Sequence, residues 1–298
     1  MKIKIMVLMF LSLSLFGKDW WSAKNEENNT TFFGNVSNLK IIKTKARTYS
    51  QIESELIQKA ETDINKEVNT MKPKSPNRTY EMTSIRNDYE LLKKIPEMGY
   101  FRWETEWEDT LFQISKAGTF KASQLVQKGL EYITDKNLIT LSPIETLELY
   151  NVALDRVAKA DKDGNTIIDE TTVQTTIIYG RKINGIPVYG NGSKVVVRFD
   201  NIGEITMLAI DWKAIDYIAD ISNEKATLNE MDTIFQTTIK KPGQQYIERR
   251  CGYYDGGIKQ QSFDLIPVCF YLYDNDKDER YGVTIPVFKN HDHLYYNK

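Results

Sequence analysis

Histidine is nearly missing from this chain. Its 298 residues hold two, His291 and His293, both close to the C-terminus. A Ser-His-Asp or Cys-His relay needs an imidazole beside its nucleophile, so hydrolysis of that kind is excluded unless it borrows this tail. His291-Asp292-His293 supplies too few ligands for a closed Zn²⁺ or Cu²⁺ site, and a solvated tail is expected. No HExxH is present. Charge of one sign is lacking as well: 39 Lys and Arg against 41 Asp and Glu leave a net charge of −2. With no long basic run, nothing points to nucleic acid. Long apolar runs are also absent. Lys2 and Lys4 precede a stretch from Ile5 to Phe16 that falls short of the about twenty residues a spanning helix needs. That pattern is expected to be a secretory signal; an uncleaved anchor running to Trp21 is the alternative. No Cys follows the apolar run, which disfavours a lipoprotein.

Cysteine is as scarce as histidine. Cys251 and Cys269 are the only two, and an exported chain invites a bond between them. They fall on what read as two strands of one hairpin. A loop centred near Ile258 sets Cys251 opposite a residue near Leu265, about four positions from Cys269. At about 3.4 Å per residue that gap is too wide to bridge. Two buried free thiols are therefore expected.

What is present favours sheet. The chain is 41% hydrophobic and 27% charged, with 17 Tyr, 12 Phe and 5 Trp, a composition of folded protein. Thr172 to Ile215 reads as an antiparallel meander. Val173–Arg181 and Lys194–Asp200 are β-branched runs. Asn184-Gly185 supplies the positive-φ pair of a type I′ hairpin, and Asn201-Ile202-Gly203 a second turn before Glu204–Trp212. Asp161–Asn165 (DKDGN) is a further turn, pairing Leu138–Ala160 with Ile167–Arg181 in a long hairpin. Helices are expected over Gln51–Val68, Thr119–Lys136 (capped by Thr119 or Ser123) and Ser222–Ile239. Ile85, Tyr89, Leu92 and Ile95 also fit a helix ending before Pro96. Tyr100–Glu108 (YFRWETEWE) alternates like a half-buried strand, with Trp103 and Trp107 on its core side. Strands follow at Gln245–Tyr254, Ser262–Tyr273 and Arg280–Phe288.

Other motifs carry less. Asp274–Asp278 has a calcium loop's alternating carboxylates, but Glu279 and Ile285 occupy the places of its Gly and final Glu. Gly190-Asn191-Gly192-Ser193 precedes no helix that could hold a phosphate. No catalytic residue, metal ligand or cofactor is assigned.

Tyr179 through Lys194 (YGRKINGIPVYGNGSK), with Gly203 and Trp212 beyond, resembles secreted proteins related to PepSY and to the propeptides of thermolysin-like metalloproteases. Ile221-Ser222, Gly252-Tyr253-Tyr254, Leu265–Val268 and Val283–Pro286 extend the likeness, which covers about Thr119 to Phe288. It implies an α+β fold of two PepSY-like units, each a helix packed across an antiparallel sheet, preceded by a helical and extended N-terminal region. Taken with the residue patterns, the expected division is a signal peptide (1–17), an extended polar arm (18–48), an N-terminal helical region with an aromatic strand (49–118), a first unit (119–220), a second unit (221–290) and a tail (291–298). It also implies a non-catalytic protein binding a peptidase or an envelope signalling partner. Asn184, Gly185, Ile186, Pro187, Val188 and Tyr189 are the candidate partner-binding residues, acting by strand addition or by a loop laid along a cleft. A structural or carbohydrate-binding protein that stacks sugars on Trp103, Trp107 and Tyr-rich strands is the rival reading.

Overall fold

The structure, a computed structural model, describes residues 40–62, 67–71, 81–87, 89–105, 120–160, 167–219, 227–240, 243–257, 264–274, 280–287 and 295–297. It is a mixed α/β fold, mostly antiparallel sheet. The strands are β1 (Ile41–Lys45), β2 (Glu67–Met71), β3 (Met82–Arg86), β4 (Glu90–Ile95), β5 (Tyr100–Thr105), β6 (Glu145–Ala160), β7 (Ile167–Ile183), β8 (Ile186–Tyr189), β9 (Lys194–Asp200), β10 (Ile205–Asp211), β11 (Ala214–Ala219), β12 (Gln245–Tyr254), β13 (Ile266–Asp274), β14 (Arg280–Pro286) and β15 (Tyr295–Asn297). Among the described residues three α-helices accompany them: α1 (Gln51–Thr62), α2 (Ala122–Asp135) and α3 (Leu228–Ile234), the last running into a π-turn at Phe235–Ile239.

The long hairpin read from the sequence forms. β6 and β7 pair from Glu145↔Ile183 to Ala160↔Ile167. β7 is the branch point of the sheet. One edge carries β6; the other carries β9 along Gln174–Gly180 and β8 at Lys182–Ile183. From β9 the sheet runs on through β10, β5, β4, β3 and β2, and from β8 through β12, β13, β14 and β15. β1 and β11 form a separate two-stranded ribbon, tied to the rest where Ile42 bridges Leu265.

Alternation decides which face is covered. Val195, Val197 and Phe199 of β9, Leu208 and Ile210 of β10 and Phe101 of β5 are buried in one cluster with Leu125 and Ile133 of α2 and Ile57 and Ala60 of α1. A second cluster holds Met231 and Phe235 from the α3 segment over Cys251, Tyr271, Val283 and Ile285. There Phe235 stacks on Tyr271 with ring centroids 4.7 Å apart. The N-terminal strands continue the sheet, since Ile85, Leu92 and Phe101 share the first cluster.

Helix ends follow local chemistry. At α1, Glu53 accepts from the Ser50 N–H at 2.6 Å and pairs with Arg47. At α3, Thr227 and Glu230 bond each other's backbone N–H groups reciprocally.

Several expectations are corrected. Residues 82–86 and 90–95 form strands β3 and β4, not a helix. The Asn87 side chain accepts from the N–H groups of Tyr89 and Glu90, making a turn where the helical spacing needs another coil, and Tyr89 is 63% exposed. The first helix stops at Thr62, and Val68 lies in β2. Lys121 precedes α2, where the Gln124 side chain caps its N–H at 2.8 Å; Ser123 is already inside the helix. The third helix begins at Leu228 and not Ser222. The end of the polar arm is strand β1, and the tail contains β15, paired with β14. Cys251 and Cys269 are disulfide-bonded, not free. They are direct cross-strand partners, because the hairpin centre lies two residues beyond the assumed one and every residue of separation counts twice in the register. The signal segment, Trp107, the Asp161–Asn165 turn, the core of the calcium-like loop, and both histidines lie outside the described residues.

Candidate functional site: a charged junction, a cavity and a free strand edge

The six residues nominated from the sequence form the hinge between the two arms of the sheet. Asn184 and Gly185 take φ of 50° and 77°, as a type I′ turn demands, and the Asn184 N–H donates to the Ile144 carbonyl at 2.7 Å. Ile186 to Tyr189 form β8, which pairs antiparallel with β7 and parallel with β12. β8 thus lies inside the sheet, with β7 beside Ile186 and Pro187 on one edge and β12 beside Val188 and Tyr189 on the other. Val188 is buried. Only Asn184 and Gly185 of the six are fully exposed.

Just beyond β8 the chain buries charge. Asp255 is 0% exposed. Its carboxylate accepts from Lys213 Nζ at 2.9 Å, Ser193 Oγ at 2.7 Å and the Gly257 N–H at 2.9 Å. Its backbone binds the Gly190–Ser193 turn region too: Asp255 N–H donates to Tyr189 O at 2.9 Å and Gly192 N–H donates to Asp255 O at 3.0 Å. A side chain at Gly192 would occupy the space of that carboxylate. Burial would raise the Asp255 pKa, but the Lys213 ammonium and the bonds from Ser193 and Gly257 hold it below the usual range. Alongside, buried Arg181 pairs with Glu145, donates to Lys213 O at 3.0 Å and lies 4.9 Å from the Trp212 ring centre. Burial depresses the Arg181 pKa despite Glu145. Two buried ion pairs thus clamp β6, β7, the Gly190–Ser193 turn, Lys213 and the loop after β12. Ser193 Oγ commits its proton to Asp255 and is itself fully buried, so it offers no nucleophile to solvent.

The face of the sheet opposite the helices bears a second, less satisfied set. Tyr100 of β5, Asp211 of β10 and Lys194 of β9 stand in one cross-strand row. The next row holds Arg102, Ala209 and Val196, and the next Glu104, Met207 and Arg198. Glu104 takes both arginines, at 2.7 Å from Arg102 and 3.3 Å from Arg198. Over the first two rows lies a cavity of about 250 Å³ lined by Tyr100, Lys194, Val196, Ala209 and Asp211. Lys194 Nζ donates to Val188 O at 3.1 Å and Gly192 O at 3.3 Å and lies 4.2 Å from the Tyr150 ring centre. Burial pulls its pKa down to about 8. Asp211 is 7% exposed, and its Oδ1 has no hydrogen-bond partner. Burial, then the charge of Asp255, push the Asp211 pKa up to about 7.

A third feature is β6, 16 residues long. Among the described residues it has a strand partner, β7, on one edge only. Leu149 on it is 48% exposed. Register shifts between Leu149 and Asn151 and between Asp155 and Arg156 break the edge into short stretches, a device that limits uncontrolled pairing.

Sequence reasoning missed Lys194, Asp211 and Asp255. Lys194 and Asp211 carried one available signal, polar residues at the ends of apolar strands. Trp103 packs against the helix-covered core and donates to Glu90 at 3.2 Å. Among the described residues no cluster is arranged to hold a metal ion, and no helix is long and apolar enough to cross a membrane. No family model matches the chain, and no curated protein matches it.

Proposed function

We propose that this is an exported, non-catalytic binding protein of PepSY-like build that takes an extended segment of a protein partner onto the outer edge of β6. The observation carrying the reading is that, among the described residues, a 16-residue strand has a strand neighbour on one side only. Main-chain bonds along such an edge give affinity, and alternate side chains give selectivity. The stretches Glu145 to Leu149 and Asn151 to Asp155 are the uninterrupted runs on either side of the first register shift. The two hydrophobic clusters, each joining helix to sheet, support a reading as two helix-on-sheet units. The expectation of a peptidase or envelope partner rests on the resemblance in Tyr179–Lys194. The disulfide is compatible with an oxidising compartment.

Hydrogen exchange with and without a co-secreted peptidase tests this. Amides of 145–156 should slow on binding, and Leu149→Lys together with Ala153→Lys should abolish both the protection and any change in peptidase activity. Binding that leaves β6 exchange untouched would remove the strand-addition route.

A further inference from the structure

The cavity on the face opposite the helices is a separate feature from the outer edge of β6. We propose that it binds a primary ammonium group carried on a short apolar stem, with Asp211 as the acceptor. A carboxylate oxygen taken out of water without a hydrogen bond is costly, and Asp211 Oδ1 is in that position while its side chain lines an open space. The cations around it have other partners. Arg47 pairs with Glu53, Lys213 with Asp255, and Lys194 donates to two backbone carbonyls. A group entering the cavity can supply the donor that Asp211 Oδ1 lacks. An ammonium brings three N–H donors and the opposite charge. Val196 and Ala209, one cross-strand row away, offer an apolar floor for a few methylenes. The cavity of about 250 Å³ is smaller than a drug-sized site, which limits the occupant to a small amine or the end of a peptide.

Proton linkage gives the site a signature. The charged and titratable groups acting on Asp211 are Asp255 beyond β12, Lys213 beyond β10, Lys194 on β9, Arg47 before α1 and Tyr100 opposite it on β5. With its carboxyl titrating near 7, an ammonium selects the ionised form and releases a proton at neutral pH. Apparent affinity should rise roughly tenfold from pH 6 to pH 8, as the competent fraction grows.

The test is a titration of the full chain with n-butylammonium chloride, followed by the backbone amide shifts of Lys194, Ala209 and Gly256. n-Butanol and tetramethylammonium chloride serve as comparisons, since one lacks charge and the other N–H. Saturable shifts with n-butylammonium alone, stronger at pH 8 than pH 6 and lost in Asp211→Asn, are expected. Ala209→Leu, which fills the floor without touching the carboxylate, should also block them. A second arm compares Ala-Val-Ala amide with its N-acetylated form. Tighter binding of the free peptide than of n-butylammonium identifies a peptide end as the source, and the reverse identifies a small amine. Shifts that do not saturate with either ammonium, or that persist in Asp211→Asn, overturn the proposal and leave the cavity to water. Neither result bears on protection of β6 by a partner.

Discussion

Lys194 and Asp211 face each other directly across β9 and β10, yet no ion pair joins them. The lysine turns to the carbonyls of Val188 and Gly192, and the carboxylate is left with one oxygen unpartnered. One turn geometry explains both. The chain from Val188 in β8 to Gly192 in the following turn folds back so that their carbonyl oxygens converge on Nζ and take two of its three N–H donors.

That arrangement sets a pH profile. The Asp211 carboxyl, raised to about 7 by burial and Asp255, holds its proton in the folded state when the unfolded chain, with a pKa near 3.9, has lost it. Folded protein therefore binds more protons between about pH 4 and 7, and stability should fall as pH rises through that window, by about 2–4 kcal/mol. Asp211→Asn should flatten it. Urea midpoints at pH 5 and pH 8, compared between the two proteins, check this; equal slopes would contradict it.

Lys194 works in the alkaline range with the opposite slope. Its amine, lowered to about 8 by burial, is neutral in the fold while the unfolded chain stays charged up to about 10.4. Stability attributable to this residue should rise with pH between those values. Lys194→Met should remove that rise in denaturation series run from pH 8 to 10.

The buried pair Lys213–Asp255 cannot lose one member cheaply. Asp255→Ala leaves an ammonium without a partner at a site 0% exposed, and should cost about 3–5 kcal/mol. Ser193→Ala removes only one of the donors to Asp255 and should cost about 1–3 kcal/mol. A smaller loss for Asp255→Ala than for Ser193→Ala in urea unfolding would show that the ion pair is not what closes this junction.

The disulfide spans 18 residues of sequence, for which loop closure predicts about 3 kcal/mol. Cys251→Ser with Cys269→Ser should lower the urea midpoint accordingly, and reducing agent should shift the parent protein but not the double variant. A midpoint insensitive to reduction would mean that the cross-link constrains little.

Gly129 of α2 faces Tyr179, whose hydroxyl donates to Val126 O at 2.6 Å. A Cβ at 129 would meet that hydroxyl. Gly129→Ala should therefore destabilise by about 1–3 kcal/mol, although alanine is the better helix former by about 1 kcal/mol. Thermal unfolding decides which effect wins, and a stabilised variant would mean that Tyr179 moves freely.

Much of the sheet was legible locally. β7, β9 and the Asn184-Gly185 turn are written in β-branched residues and in a positive-φ pair, and both signals act within a few residues. β3 and β4 were not, because Ile85, Leu92 and Ile95 satisfy a helical spacing as well as they satisfy strands flanking an Asn87 turn. The cysteine pairing also escaped, since a small error in the hairpin centre doubles across the register. The site was the least legible part. Lys194, Asp211 and Asp255 are ordinary strand-end charges until β9 lies beside β10 and the loop after β12 closes over the Gly190–Ser193 turn. Sequence alone determined which segments could be strands, because propensity and turn chemistry are local. Only the tertiary structure decided which charges lose their water and which of them find partners, because burial and pairing depend on residues tens of positions apart.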